Sequence, residues 1–359
     1  MADTSDLINQ QNALLEKMNS LIETQNKLLQ SSKNEEEVFV EDIEHDEIRD
    51  SFLVTSRRKK LWNVQIKMIN EVARICKKYN IRWFADFGTL LGAARHKGFI
   101  PWDDDVDISM LRPDYEKFKI VAPHELKYPY SFDPWYDYRA EDADFSLPEE
   151  QSFPLVTLKY CPYADFPRGS IIKIRDDRTT MMDLPRKGFH HAIFIDIFPY
   201  DPVPPFEDDN QRVNFEIGRA LYAGILFPNF IKEKMAKNEN VVINYEQMNK
   251  FLAMSYRNKI LTFENFLSEN HFESKYCCST GTAFSLFREP KLCEREFFKE
   301  VVYLPFEKIE VPAPADYDKF LTVQYGDWRT PVFTHVHVQD SHYSVDIPYE
   351  EFGRKTNLF

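Results

Sequence analysis

Residues 87 to 108, FGTLLGAARHKGFIPWDDDVDI, place four aspartates in their last six positions. Side chains alternate across a strand. If Asp105-Val106-Asp107-Ile108 is a strand, Asp105 and Asp107 share one face, and Val106 and Ile108 face the core. Two neighbouring carboxylates raise each other's pKa unless a cation joins them. Magnesium takes oxygen ligands of this kind and keeps positions for water or substrate phosphate. An exposed acidic turn is the other reading, since Asp103 and Asp104 alone could be solvated. The alternation with Val and Ile weighs against it. A twelve-residue calcium loop is excluded, because no glycine and closing glutamate follow at the required offsets.

Upstream, Ile81 to Phe87 reads as a buried strand and Leu90 to Arg95 as a helix. Gly88-Thr89 would then open that helix. Backbone N–H groups at a helix start attract anions, and a glycine lets a phosphate come close. The Thr89 hydroxyl can add a hydrogen bond. Simple capping explains the same residues. Gly-Thr at one strand end followed by Asp-x-Asp on the next strand is the more informative combination, and it resembles the nucleotidyltransferase-type fold pattern. Asp196, inside the apolar FIDIFP, residues 194 to 199, is the candidate third acid, since a carboxylate there is costly unless paired or ligated.

The chain has 359 residues, 43% of them hydrophobic, enough for one large domain or two ordinary ones. Its net charge of −13 argues against broad nucleic-acid binding, which needs a cationic surface. No apolar run approaches the roughly 18 residues of a spanning helix. The first residues lack the pattern of a secretory signal. Five cysteines without a CxxC pair argue against a disulfide framework, and the chain reads as cytoplasmic, with a peripheral membrane position left open. Cys277, Cys278 and Cys293 read as buried or free thiols more readily than as a zinc site.

Apolar pairs at Leu7-Ile8, Leu14-Leu15, Leu21-Ile22 and Leu28-Leu29 make a heptad seam, so residues 1–32 are expected to form a short coiled coil and a homo-oligomer through 7–29. The acidic stretch 33–56 reads as a solvated linker. The catalytic body is then 57–359. Within it, Trp62, Ile66, Ile69, Ala73 and Cys76 mark one helix face that Asn80 ends. Residues 171–174 and 192–198 read as strands, and 211–270 as helices. The expected class is α/β mixed: a nucleotidyltransferase-like mixed sheet with flanking helices and a helical C-terminal half.

Two cationic clusters stand out. Arg95, His96 and Lys97 lie between the signature halves. Lys173, Arg175 and Arg178 form the second, with Lys173 and Arg175 on one strand face; it reads equally as a donor contact or a solvated surface. His335, His337, Asp340 and His342 are ordinary histidines and acid more readily than zinc ligands, and the aromatics of 133–139 fit packing as well as an acceptor groove.

Three segments, residues 83–108, 190–204 and 306–331, together resemble the LicD family, which includes bacterial phosphocholine transferases, and the related fukutin and fukutin-related proteins. The resemblance spans about residues 61 to 331. It implies metal-dependent transfer of a substituted phosphate from a CDP-activated alcohol donor to a glycan acceptor hydroxyl, with CMP released. Carried onto this chain, it implies Asp105 and Asp107 as the magnesium (or manganese) pair, with Asp196 matching the acid of the IDIFP-like segment. Asp103 and Asp104 match the preceding acids, and Gly88 and Thr89 the phosphate-side turn. Asp86, Arg95 and His96 fall on recurrent positions that suit substrate contact or site support. Tyr325-Gly326-Asp327 matches a C-terminal signature. The alternatives are a nucleotidyltransferase releasing pyrophosphate and a non-catalytic oligomeric scaffold.

Overall fold

The computed structural model describes residues 37–134, 171–182, 190–270, 272–285, 291–332 and 342–356. The heptad segment, residues 135–139 of the aromatic stretch, and His335, His337 and Asp340 lie outside them.

The acidic stretch does not stay a linker. Val40 and Val54 are fully buried, and β1 (Glu47–Arg49) and β2 (Phe52–Val54) pair as an antiparallel hairpin. Charge explains the difference. Lys59, itself wholly buried, sits 3.1 Å from Glu47 and donates to the Asp42 carbonyl, while Arg49 reaches Glu307 at 2.7 Å. Acids read as solvating are partners for cations of the folded body.

Helix α1 (Ser56–Tyr79) starts where the Thr55 hydroxyl accepts from Arg58 N–H and ends at Asn80, which takes the left-handed conformation at φ 51°. Trp62, Ile66, Ile69 and Cys76 are buried along it, as their spacing requires. Next come the short β3 (Phe84–Ala85), α2 (Phe87–His96), β4 (Asp107–Leu111) and α3 (Arg112–Glu125). Strands β5 (Tyr130–Pro134), β6 (Ile172–Asp176), β7 (Thr180–Met182) and the eleven-residue β8 (Ile193–Val203) follow.

Strand β8 organises the main sheet. One edge pairs in parallel with β4, which pairs antiparallel with β3. The other edge takes β6 along its first half and β9 (Tyr276–Ser279) along its second, both antiparallel, and β10 (Cys293–Glu294) extends β9. The sheet is therefore mixed. β4 is buried at every position, consistent with a central strand covered on both faces.

Between β8 and β9 run α4 (Asp209–Leu226), α5 (Pro228–Ala236), α6 (Tyr245–Leu252) and α7 (Tyr256–Glu269). They enclose a second apolar core around Phe215, Tyr222, Phe251, Phe263 and Phe284. The expected helical half is thus an insertion, because strands resume after it. The short α8 (Thr280–Ala283) leads on to the β11 (Val301–Phe306) and β12 (Ile309–Pro314) hairpin, then α9 (Tyr317–Tyr325). Cys277 and Cys293 face each other in register, and they and Cys278 are buried free thiols.

Candidate active site

The acids gather at the start of β4. Asp107 is its first residue and stands in register with Asp196 on β8. Asp105 precedes the strand, so the expected two-residue alternation does not hold at Asp105: it belongs to a loop. That loop lets carboxylate oxygens of the consecutive Asp103, Asp104 and Asp105 come within 4.8 Å of one another, which an extended strand would forbid.

The main chain around these acids is pinned from several sides. On α1, Trp62 Nε1 and Arg58 Nη1 donate to the Asp103 carbonyl at 3.0 and 2.8 Å, and Gln65 Nε2 donates to the Asp104 carbonyl at 2.8 Å. Positions 58, 62 and 65 share one helix face. On the far side, Asp196 N–H donates to the Val106 carbonyl at 2.8 Å and Asp86 N–H to the Asp107 carbonyl at 3.1 Å. Asp107 N–H donates to the Thr89 hydroxyl at 2.8 Å. Thr89 is buried, and its contact is with the strand start, which makes it a support for Asp107.

Gly88 has a comparable place. A Cβ there would stand 2.5 Å from Asp103 Oδ2, so the absent side chain makes room for that carboxylate. Asp86 caps α2 by accepting from Phe87 N–H at 2.8 Å. Its other oxygen, Oδ2, has no hydrogen-bond partner of good geometry, nor do the nearby Ser109 Oγ and Tyr200 Oη.

These surroundings raise the pKa of several of the acids. Burial, the largest cause, pushes Asp86 up to about 7. Burial and then the Asp105 charge hold Asp103 and Asp107 well above the carboxylate range, with Asp196 and Asp86 adding to the effect on Asp107. Asp196 is raised by burial against the opposing pull of Lys173, whose Nζ is 2.5 Å away. The donor set is all oxygen, crowded and short of compensating charge. It fits a hard divalent cation such as magnesium.

The acids open on a cleft of about 370 Å³. Asp103, Asp105 and Asp107 line it with Phe87, Arg95, Trp102, Tyr325, Asp327 and Trp328. The C-terminal segment reaches this wall because Gly326, at φ 70° and ψ −119°, takes a turn that side chains resist. Arg95 donates to the Trp328 carbonyl at 3.0 Å and to His96 Nε2 at 2.8 Å. His96 Nδ1 meets Asp50 at 2.7 Å, and burial pushes its imidazole pKa down. Arg95 therefore presents to the cleft, and His96 holds it from behind.

The second cationic cluster divides. Lys173 belongs to the acids, and its Nζ also lies 3.4 Å from the centre of the Phe194 ring. Arg175 pairs with Asp133 and donates to the Ala192 carbonyl at 2.8 Å, and Arg178 pairs with Asp176 at 2.6 Å. Neither arginine lines the cleft.

Residues 80–167 match the family model described as LicD/FKTN/FKRP, nucleotidyltransferase domain. Over 284 residues the chain is 26% identical to the lipopolysaccharide cholinephosphotransferase LicD of Haemophilus influenzae, covering 77% of this chain and 91% of that protein. Over these residues the chain is similar to the LicD family. Shorter likenesses are to two uncharacterized proteins: 39% over 57 residues in Rickettsia typhi, and 34% over 73 residues in Rickettsia prowazekii. They cover 16% and 20% of this chain, and 18% and 27% of those proteins.

Sequence patterns did not reveal the α1 contacts. Trp62 was legible as core, but its indole N–H toward Asp103 was not, and nothing in the spacing marks Arg58 or Gln65. Trp102 and Trp328 likewise carry no local signal beyond their proximity to motif residues.

Proposed function

We propose that the chain transfers a substituted phosphate, phosphocholine or a polyol phosphate, from a CDP-activated alcohol to a glycan hydroxyl and releases CMP. The observation that carries this reading is the register of Asp107 with Asp196 beside the crowded Asp103–Asp105 loop. A cluster built from two chain segments and held by main-chain hydrogen bonds is preorganised for a cation and the anion it brings.

Asp105, Asp107 and Asp196, with Asp103 and Asp104 alongside, would hold magnesium. Bound there, the ion supplies charge neutralisation for the donor pyrophosphate and polarises the phosphorus. The chain does the rest. Arg95, steadied by His96 and the Trp328 carbonyl, faces the cleft as its cationic side chain. Lys173 pulls against the burial that raises Asp196 and fixes one of its oxygens, leaving the second for a ligand or for the acceptor's proton. The acceptor oxygen bonds to the phosphorus bearing the alcohol as the bond to the bridging oxygen breaks. CMP leaves with that oxygen, and the hydroxyl proton passes to a carboxylate.

The likeness to a lipopolysaccharide cholinephosphotransferase supports a glycan acceptor. Among the described residues no helix is long and apolar enough to cross a membrane. The test is nucleotide release from CDP-choline, CDP-ribitol and CDP-glycerol with magnesium, with and without glycan acceptors. Acceptor-stimulated CMP release is expected from the wild-type chain and not from Asp107→Asn. Release of pyrophosphate from a nucleoside triphosphate in its place would make the protein a nucleotidyltransferase.

A further inference from the structure

Strands β9 and β10 place two thiols opposite each other. Cys277 and Cys293 stand in register on this antiparallel pair, and the Arg295 N–H continues it by donating to the Lys275 carbonyl at 2.9 Å. Directly opposed residues share a sheet face, with Cα atoms about 4.5–5.5 Å apart. A disulfide spans about 4.4–6.8 Å between Cα atoms, so the pair can be bridged without separating or shifting the strands. Both thiols are free, at 1% and 0% exposure. Cys278 points to the other face and stands in register with Asp201, and Cys76 lies on α1.

Cys293 also closes a ring of contacts that ends at the cleft. Its thiol donates to the Lys291 carbonyl at 3.7 Å, and its sulfur accepts from Gln324 Nε2 at 3.4 Å. Lys291 Nζ in turn donates to the Gln324 carbonyl. Gln324 is buried on α9, and the residues after it, Tyr325, Asp327 and Trp328, line the acidic cleft. The thiol hydrogen belongs to that ring, and a disulfide has none.

We propose that Cys277 and Cys293 form a reversible disulfide that releases the C-terminal wall of the cleft. The oxidant is a low-molecular-weight disulfide. The Cys293 thiolate attacks one of its sulfurs and expels one thiol, and the Cys277 thiolate then attacks the Cys293 sulfur and expels the second. The protein thiols lose two electrons and two protons, and the small disulfide gains them as two thiols. Burial pushes both cysteines up, Cys293 to about 12, so the exchange waits on opening of β10. That strand has two residues and, among the described residues, pairs with β9 alone, which suits local opening. The effect on activity rests on the transferase reading above, whereas the bond itself does not.

In the experiment the full chain is incubated with oxidised glutathione, alkylated, and digested without reductant. The expected product is a peptide pair linked through Cys277 and Cys293. On the same samples, acceptor-stimulated CMP release should fall by about fivefold or more, the scale of one buried polar group left unsatisfied. Trypsin should cut faster after Arg329, which follows the wall residue Trp328. Dithiothreitol should reverse the losses. Cys277→Ser and Cys293→Ser should each keep the activity of the reduced chain and lose the response, since a serine hydroxyl also donates and accepts. Thermal melting checks that both variants fold. A link that forms only in urea overturns the proposal. So does a linked chain with unchanged CMP release and cleavage, or a response that persists in both serine variants. A reduced chain that releases no CMP removes the transferase reading alone, and the peptide map and the cleavage then decide the disulfide.

Discussion

Two aspartates five residues apart on β8 have opposite surroundings. Asp201 receives a fork from Arg112, Nε to Oδ1 and Nη2 to Oδ2, both at 2.7 Å, and the Thr280 hydroxyl donates to it. Arg112 also reaches Glu116 at 3.0 Å and Glu264 at 3.6 Å. Asp196, on the opposite strand face by parity, has one lysine and looks toward other acids. Both carboxylates are buried. The first is a closed ion network that ties β8 to α3 and α7. The second is a site left incomplete by the protein's own residues. An acid forked by a buried arginine reads as structure, and acids crowded by acids read as a place for something to bind.

The comparison breaks most visibly if function and stability do not separate. Asp107→Asn should reduce acceptor-stimulated CMP release by on the order of 10³-fold, about 4 kcal/mol of activation free energy. Its stability in chelator should be unchanged or higher, because a like charge has been removed from Asp105 and Asp196. Unfolding by urea alongside the CMP assay checks both halves. A mutant that keeps activity would move the chemistry away from the β4 acids.

The converse substitution lies in the closed network. Arg112→Ala leaves Asp201 and Glu264 buried without that cation and should cost about 3–5 kcal/mol of folding free energy. The activity of the molecules that remain folded should survive. Unfolding at its wild-type midpoint would mean that the network is not what holds β8 to α3.

The sequence carried the sheet-and-site logic because its signals are local. Acids adjoining a Val-Ile alternation can be read from spacing, as can an acid inside FIDIFP and a glycine before a helix. Helix α1 and its stop at Asn80 were equally legible. What could not be read is tertiary. The strand starts at Asp107 because Thr89 and Asp196 fix the preceding backbone from two other elements, and no pattern within residues 103–107 encodes that. The 40–56 hairpin failed as a linker because its acids find Lys59 and other cations of the body, partners that composition cannot show. Arg175 and Arg178 sit in a cationic run, yet Asp133 and Asp176 take them.

A pH titration of stability sharpens the contrast. Asp86 is raised from 3.8 to about 7 by burial. Between those values the folded chain holds a proton that the unfolded chain has released, so stability falls as pH rises, by at most about 1.4 kcal/mol per pH unit from this group. Asp103, Asp107 and Asp196 are shifted in the same direction and add to the fall in chelator. Thermal melts from pH 4 to 8 should show the decline, and Asp86→Asn should flatten one group's share. Magnesium should flatten the rest by stabilising the ionised acids. A stability that rises across that interval would mean the acids find cations within the fold, as Asp201 does.

The smallest effect tests how tightly the cluster is built. The Asp103 backbone is held by Arg58 and Trp62, so in Gly88→Ala the carboxylate must rotate away from a Cβ that would lie 2.5 Å from Oδ2. Replacing a helical glycine by alanine is itself favourable by roughly 0.5–1 kcal/mol. Folding stability should therefore be nearly preserved while affinity for magnesium, or manganese as its probe, falls by about tenfold in a calorimetric titration, about 1.4 kcal/mol. Undiminished affinity would remove Asp103 from the ligand set. Asp105, Asp107 and Asp196 would then carry the cation, and Gly88 would serve only to let Asp103 pack against the start of α2.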